Sequence, residues 1–305
     1  MKLPKTAKIH EVGPRDGLQN EKAPVSTTDK IALVNALAQA GLTSIEYGSF
    51  VSPKWVPQMA DSDEVGRLIT RLPGISYQAL VMNMKGYERA KATGMDSVNI
   101  VTGVSETFNR KNMNAGVDES LENYRPIIAQ ARQDGIQITA YVSTAFGCPY
   151  EGEILFANVL EVSRKFLTMG ADEVILSDTI GCAHPKQVSE LLAMHLEHIP
   201  VDKLGVHFHD TRGLALANVL AALQLGVNRF DGSVGGMGGC PFAPGAQGNV
   251  CTEDLVFMLE EMGVETGVNV PALIEVSRTV EGLLGRALPG HIKSAKHKPS
   301  YLERK

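Results

Sequence analysis

Lys203-Leu204-Gly205-Val206-His207-Phe208-His209-Asp210 has the pattern of a β-strand with one apolar and one polar face. Successive side chains of a strand point to opposite faces, so His207 and His209 share the face opposite the apolar residues. Two imidazoles that point into one space can supply two nitrogen ligands to a metal ion. The alternative is a hydrogen-bonded structural pair, and the rest of the sequence has to decide between the two.

Strand-like and helix-like stretches alternate on both sides of this segment. Short runs rich in β-branched residues predict eight strands, near 8–12, 44–47, 77–81, 97–101, 137–142, 173–177, 204–208 and 229–234. Stretches with helical periodicity follow them at 28–40, 61–71, 85–93, 119–134, 154–169, 185–197, 213–225 and 252–262. Ser26, three residues before Asp29, predicts the start of the first helix. Glycines predict helix ends at Gly41, Gly94, Gly170 and Gly226.

The alternation predicts an α/β protein with a (β/α)8 TIM barrel. A doubly wound sheet is the main alternative, but it would usually carry a glycine-rich phosphate turn after the first strand, and none is there. Because no linker interrupts the pattern, residues 1–305 are predicted to form a single catalytic domain with its barrel core at about 8–262. The remainder, 263–305, holds an additional C-terminal helix at 271–285. We expect the tail at 290–305 to be solvated and partly disordered.

Composition excludes several classes of partner. The formal net charge of −5 argues against binding to nucleic acid, which requires basic surfaces. No apolar run reaches membrane-spanning length, and the first residues lead so quickly into a predicted strand that we expect no signal segment. The four cysteines lack Cys-x-x-Cys spacing, so we expect a reducing cytoplasm and any special cysteine to be reactive rather than bridging.

Charged side chains gather where predicted strands end, the place where barrel enzymes carry their reactive residues. The first strand runs into Gly13-Pro14-Arg15-Asp16-Gly17-Leu18-Gln19-Asn20, a tight turn that places a permanent cation beside a carboxylate. Glu46 and Asp178 end the second and sixth strands. Each could be a structural salt-bridge or capping residue, but three carboxylates at one rim with two histidines indicate a functional site.

A glycine-rich loop follows the eighth strand, between residues 235 and 249. Six glycines in fifteen residues cannot serve core packing, and a loop of this length and composition indicates a lid. Cys240 lies in its middle and Asn249 at its far end. The alternative for Cys240 is a small buried hydrophobic residue.

Taken together, these motifs closely resemble the hydroxymethylglutaryl-CoA lyases, metal-dependent lyase barrels. The resemblance spans about residues 8 to 285 in an order that is highly specific. The segments that carry it are 11–21, 49–59, 147–152, 178–181, 207–210, 238–241 and 248–255.

The resemblance implies that Asp16, His207, His209 and Asn249 bind a divalent cation, Mg²⁺ or Mn²⁺. It also implies retro-Claisen cleavage of 3-hydroxy-3-methylglutaryl-CoA, or a close branched 3-hydroxyacyl-CoA, to acetyl-CoA and acetoacetate. The catalytic residues that the resemblance implies are Arg15, Cys240, Asp178 and Glu46. Arg15 would stabilise the thioester enolate, and Cys240 would relay a proton. Asp178, Glu46 and a histidine ligand are the candidates for the base. We favour Asp178, with Glu46 orienting Arg15 or the water network.

Further expectations concern the substrate and the partners. Gln19 and Tyr141 could contact the acyl group, although a structural role fits each equally well. The phosphates of an acyl-CoA substrate could meet nearby cations, namely Lys22, Lys54, Arg110 and Lys111. We expect a homo-oligomer, a dimer or higher, because dimers are common among such barrels.

Other functions compete with this interpretation. A synthase or aldolase from related barrels is the nearest, but such synthases usually add a regulatory domain, and only about twenty residues follow the last predicted helix. A biotin-dependent carboxyltransferase is a second alternative. The absence of a biotin-carrier lysine motif from this sequence argues against it. A non-catalytic metabolite-binding barrel should have lost some ligands, yet all four metal positions and Cys240 are present.

Overall fold

The computed structural model describes residues 3–239 and 248–295, which contain a closed barrel of eight parallel strands. Each strand pairs with the next in the chain, and the eighth closes the barrel against the first. The strands are β1 Lys8–Glu11, β2 Ser44–Ser49, β3 Ser76–Leu80, β4 Ser97–Gly103, β5 Gln137–Ser143, β6 Glu173–Asp178, β7 Leu204–Phe208 and β8 Arg229–Gly232. The predicted (β/α)8 barrel is therefore confirmed.

Helices connect the strands around the outside of the barrel. They are α1 Thr27–Gln39, α2 Ser62–Leu68, α3 Met84–Lys91, α4 Glu106–Met113, α5 Val117–Asp134, α6 Phe156–Met169, α7 Pro185–Leu196, α8 Ala215–Gln224, α9 Thr252–Glu261 and α10 Val270–Leu284. Ser26 caps α1 by accepting a hydrogen bond from the backbone N–H of Asp29 at 3.1 Å, as predicted. The four glycines predicted to end helices all have positive φ.

Helix α4 is the element that the periodicity did not predict. Its sequence is mostly polar, and only Phe108 and Asn109 are buried, so it has no apolar stripe to detect. The local signals are at its ends, where Ser105 accepts from the N–H of Phe108 and Asn114 adopts a left-handed conformation. Helix α4 lies between β4 and α5 and forms part of the wall of the functional cavity.

The start of the C-terminal tail differs from the expectation of a solvated end. The backbone N–H of Gly290 donates to the carbonyl of Gly235, and those of His291 and Ile292 donate to the carboxylate of Asp254. Residues 290–295 therefore lie against the turn after β8 and the start of α9. Sequence reasoning missed this because the partners are backbone groups and a buried acid far away in the chain.

Candidate active site

Three side chains at the carboxyl end of the barrel direct metal-binding atoms at one another. The ligand atoms of Asp16, His207 and His209 all lie within 4.8 Å of each other. Both imidazoles are buried, and they come from the end of β7, where alternate residues share a face, as predicted from the sequence. One ion between them would have one oxygen and two nitrogen ligands, a set that suits a divalent cation.

Asn249 lies beside this cluster because its segment pairs with the chain that leaves β7. The N–H of Val250 donates to the carbonyl of Phe208 at 3.0 Å, and Asn249 forms a bridge with His209. Its Nδ2 donates to Oδ2 of Asp16 at 2.9 Å, which leaves Oδ1 buried and without a partner. Nδ1 of His209 is also buried and unpartnered. An unsatisfied buried acceptor next to a carboxylate and two imidazoles fits a cation site, since such atoms normally have partners.

Asp231 of β8 fixes the orientation of His207. Its Oδ2 lies 3.0 Å from Nδ1 of His207, so Nε2 is the nitrogen left for the cavity. Although burial favours the neutral ring, the hydrogen bond and the charge of Asp231 raise the pKa of His207. A carboxylate behind a ligand histidine is the usual arrangement at metal sites. Sequence reasoning missed Asp231, although its spacing from Arg229 in a predicted strand placed both on one face.

Arg15 and Asp16 lie in a single wide helical turn, Gly13–Gly17, in which the N–H groups of Asp16 and Gly17 both bond to the carbonyl of Val12. Nη1 of Arg15 donates to Oδ1 of Asp16 at 2.6 Å. Burial alone would raise the pKa of Asp16, but Arg15 and the two histidines lower it to about 2. These neighbours therefore favour the ionised form of Asp16, which is the form that a metal ligand needs.

Glu46 lies under Arg15 and has both carboxylate oxygens occupied. Nε of Arg15 donates to Oε2 at 2.5 Å, and Nδ2 of Asn99 donates to Oε1 at 2.8 Å. Glu46 is fully buried, and this burial raises its pKa, with Arg15 acting in the opposite direction. Burial would also lower the pKa of Arg15, but the charges of Glu46 and Asp16 raise it. Of the two roles considered for Glu46, this geometry fits orientation of Arg15 better than proton transfer.

The contacts of Asp178 fit a structural role better than the general base predicted from the sequence. Its oxygens accept the backbone N–H groups of Cys182 and Ala183, each at 2.9 Å, so it holds the loop after β6. The neighbouring Ser177 and Thr179 line the cavity, whereas Asp178 does not. Alternation along the strand therefore turns its side chain away from the histidines. Of the three candidates for the base, only the histidine pair faces the cavity.

A cavity of about 560 Å³ opens above the cluster. Arg15, Asp16, His207 and His209 line it together with both predicted acyl contacts, Gln19 and Tyr141. Oε1 of Gln19 and the hydroxyl of Tyr141 are buried and have no hydrogen-bond partner. Of the four cations considered for phosphates, Lys111 lines the cavity and Lys22, Lys54 and Arg110 do not.

The glycine-rich loop reaches the cavity at Gly239, whose carbonyl accepts from Nδ2 of Asn20 at 3.1 Å. At two positions of this loop the backbone lies so close to neighbouring atoms that only glycine fits. Gly238 has a φ of +115°, and a Cβ there would lie 2.8 Å from Nδ2 of Asn249. A Cβ at Gly248 would lie 2.6 Å from the carbonyl oxygen of Met237. Cys240, the proton relay expected from the sequence, lies outside the described residues.

Glu11, which sequence reasoning also missed, joins the loops that carry the site. Its Oε1 accepts the N–H groups of Gly13 and Val234 at 2.8 and 2.9 Å, and its Oε2 accepts the hydroxyl of Thr252 at 2.7 Å. The residue is fully buried at the end of β1. It therefore ties the Arg15 turn to the turn after β8 and to the start of α9.

Glu11→Gln should change the pH dependence of stability. Burial raises the pKa of Glu11 to about 8, so the folded protein keeps a proton that the unfolded chain releases above its ordinary pKa of 4.5. The stability contributed by this group is therefore complete below pH 4.5 and is lost as the pH rises towards 8. Glutamine stays neutral, so the free energy of unfolding of the variant, relative to wild type, should rise by several kcal/mol between pH 4.5 and 8.

Urea unfolding at several pH values measures this difference. Glu153→Gln, at an exposed position, is the matched control and should show no such trend. A difference that stays constant from pH 4.5 to 8 would show that Glu11 is ionised in the folded protein.

A family model described as HMGL-like matches residues 6–280 of this chain. The chain belongs to the HMGL-like family. A human mitochondrial hydroxymethylglutaryl-CoA lyase is 50% identical over 293 residues, which cover 96% of this chain and 90% of the relative. The family that the motifs predicted is therefore confirmed.

Solved structures of HMGL-like proteins share the whole barrel. A Bacillus subtilis HMG-CoA lyase superimposes with a TM-score of 0.95 and 44% identity, over 96% of this chain and 99% of that chain. An Acinetobacter baumannii HMG-CoA lyase, solved in complex with coenzyme A and 3-methylmalate, gives a TM-score of 0.94 and 43% identity over 98% of both chains. In the part of this chain that the structure describes, no helix is long and apolar enough to cross a membrane.

Proposed function

We propose that this protein is a divalent-cation-dependent lyase that cleaves 3-hydroxy-3-methylglutaryl-CoA to acetyl-CoA and acetoacetate. The observation that carries the proposal is the cluster of Asp16, His207 and His209 on the floor of a cavity that Arg15 also lines. The relatives support it, because chains that match this one over at least 90% of their own length are hydroxymethylglutaryl-CoA lyases.

Asp16, His207, His209 and Asn249 would hold the cation. Three of them supply the clustered ligand atoms, and the unpartnered Oδ1 of Asn249 supplies a fourth. A bound Mg²⁺ or Mn²⁺ would polarise the tertiary hydroxyl of the substrate and ease loss of its proton. The carboxylates of Asp178 and Glu46 are both engaged elsewhere, which leaves a histidine ligand as the remaining candidate for the base. Of the two histidines, His209 has a ring nitrogen, Nδ1, without a partner.

Arg15 stabilises the charge that develops on the thioester. When the bond between C2 and C3 breaks, the electron pair moves into the thioester and C3 becomes the ketone of acetoacetate. Glu46 and Asp16 hold Nε and Nη1 of Arg15, so Nη2 remains for the enolate oxygen of acetyl-CoA. A cation that is already oriented in a buried site stabilises such an oxygen without reorganisation.

Cys240 would deliver the proton that turns the enolate into acetyl-CoA. The preceding residue, Gly239, lines the cavity, which supports this role. Gln19 and Tyr141 would contact the acyl group through their unpartnered polar atoms. We further propose a cytoplasmic homo-oligomer, and the three free thiols of the described residues, Cys148, Cys182 and Cys251, are consistent with a reducing compartment.

Mass-spectrometric product analysis tests the proposed function. Purified protein should convert 3-hydroxy-3-methylglutaryl-CoA to equal amounts of acetyl-CoA and acetoacetate, lose this activity with a chelator, and regain it with Mg²⁺ or Mn²⁺. Longer branched 3-hydroxyglutaryl-CoA and citramalyl-type thioesters in the same assay establish the acyl preference. If every thioester is recovered intact in the presence of metal, the proposal is wrong.

Cys240→Ala should lower kcat by about 10²–10⁴-fold, the range that general acid catalysis contributes, with little change in KM. Cys182→Ala is the matched control, because this cysteine does not line the cavity, and it should turn over like wild type. Steady-state kinetics of the two variants make the comparison. Unaltered kcat in Cys240→Ala would show that this cysteine carries no proton in the reaction.

A further inference from the structure

Polar side chains lie inside the barrel below the cavity, where such barrels usually carry branched apolar residues. They are His10 of β1, Ser44 of β2, Gln78 of β3, and Arg229 and Asp231 of β8. Asp231 joins this group to the candidate metal site through its hydrogen bond with His207. His10 pairs with Asp231 in the register between β1 and β8, so the two side chains point to the same face of the sheet. None of these five described residues lines the cavity, so their role has to follow from their contacts with one another.

A chain of hydrogen bonds determines which nitrogen of His10 carries its proton. Nε2 of Gln78 donates to the hydroxyl of Ser44 at 2.9 Å, and this hydroxyl lies 2.7 Å from Nδ1 of His10. The hydroxyl can accept from Gln78 and donate to Nδ1 at once, which leaves the ring proton on Nε2. Burial lowers the pKa of His10 to about 3, so the ring is neutral and Nε2 carries its only N–H group.

Three polar atoms of this group are buried and have no hydrogen-bond partner, namely Nε2 of His10, Nη2 of Arg229 and Oδ1 of Asp231. Besides burial, the charge of Asp231 raises the pKa of His10 and that of Arg229 lowers it further, so both groups lie near the ring. Two of the three atoms are donors and one is an acceptor. A water molecule can accept two hydrogen bonds and donate one, and buried waters typically make about three, mostly to atoms of this kind.

We propose that one buried water molecule joins these three atoms and makes His10 a positioning residue for His207. Asp231 then has both carboxylate oxygens held, Oδ2 by His207 and Oδ1 by the water. A carboxylate held at both oxygens is restrained from rotating, so it fixes the plane of the imidazole to which it bonds. The inference rests on the proposed function because it treats His207 as a ligand of the cation.

Glu46 shows the same arrangement completed by protein atoms alone. Its Oε2 accepts from the group that it orients, Arg15, and its Oε1 accepts from a second side chain inside the barrel, Asn99. His10 and the water would do for Asp231 what Asn99 does for Glu46. Each of the two buried carboxylates below the site would then have one oxygen on a functional group and one on the barrel interior.

A crystal structure at a resolution that shows ordered water tests the bridge. We expect one density peak within about 3.2 Å of Nε2 of His10, Nη2 of Arg229 and Oδ1 of Asp231. A ring of His10 whose Nε2 faces apolar side chains, or a contact between His10 and Asp231 that leaves no place for water, would overturn the proposal.

Calorimetric titration with Mn²⁺ tests the positioning role. His10→Leu removes the donor and should weaken Mn²⁺ binding about tenfold, the lower end of the range for partners outside the ligand set. His10→Gln places an amide N–H near the position of Nε2 and should keep most of the wild-type affinity. His195→Leu removes a fully buried imidazole from α7, so as the control it should lose stability but keep the affinity. Equal affinity in His10→Leu and wild type would overturn the positioning role.

A double-variant cycle shows whether His10 acts through Asp231. In an Asp231→Ala background, His10→Leu should no longer weaken Mn²⁺ binding, because the group that transmits its effect is gone. The same loss of affinity in both backgrounds would show that His10 only supports the fold, and this result would also overturn the proposal.

Product analysis separates this inference from the proposed function. Thioester cleavage by wild type, together with unchanged Mn²⁺ affinity in His10→Leu, overturns the positioning role alone. If His10→Leu binds Mn²⁺ more weakly than wild type but wild type cleaves no thioester, the proposed function is wrong and the positioning role stands.

Discussion

Replacing Arg15 by methionine should lower kcat by about 10³-fold while the protein still binds one divalent cation. Loss of one preorganised donor to a developing oxyanion costs about 10²–10³ in kcat, and Arg15 also carries a full charge. It is not one of the proposed metal ligands, so metal content measured by mass spectrometry should not change. Turnover within a few fold of wild type would exclude Arg15 from the stabilisation of charge.

Arg15→Met also leaves Glu46 buried without its ion-pair partner, and this could destabilise the fold by itself. The double variant Arg15→Met, Glu46→Gln removes that unpaired carboxylate. It should therefore recover thermal stability but not turnover. If activity returned together with stability, the loss in the single variant would reflect folding rather than chemistry.

Replacing His207 by alanine should weaken cation binding by more than about 100-fold and abolish turnover. Even partners outside the ligand set typically change metal affinity by about 10–100-fold, and His207 supplies a ligand atom. Asp231→Asn keeps the imidazole of His207 but removes the negative charge next to it. The cation affinity of this variant should therefore fall by only about 10–100-fold. Calorimetric titration with Mn²⁺ measures both variants.

A buried histidine elsewhere provides the matched control for His207→Ala. His195 is fully buried in α7, where its ring contacts Ser163 and the carbonyl of Leu191. His195→Gln should lose some stability but keep the cation affinity of wild type. An active His207→Ala enzyme without bound metal would end the role assigned to the histidine pair.

The sequence predicted the barrel because each strand and most helices carry their own periodic signal. The strand that holds His207 and leads directly to His209 has the predicted bounds, Leu204–Phe208, since its alternation is unambiguous. Helix α4 was missed because it packs few apolar residues, and its capping serine gives only a local signal. The start of the tail was assigned to solvent because its partners, Gly235 and Asp254, are distant in sequence.

The site could be predicted as far as two rules reach: side chains alternate between the faces of a strand, and strand ends meet at the carboxyl end of the barrel. This logic brought Asp16 together with the histidines, but it could not show which way a strand-end acid turns. Asp178 turns towards the backbone of its own loop, and Glu46 is buried under Arg15. The supporting acids Glu11 and Asp231 went unnoticed because most of their partners lie in distant parts of the sequence, and only the closed barrel brings them together.

The most direct test of the central claim is an anomalous difference map from crystals of this protein grown with Mn²⁺. We predict one strong peak at the carboxyl end of the barrel, within coordination distance, about 2.0–2.4 Å, of Asp16, His207, His209 and the side-chain oxygen of Asn249. A peak elsewhere, or a peak here with Asp16 or Asn249 turned away from the two imidazoles, would contradict the account.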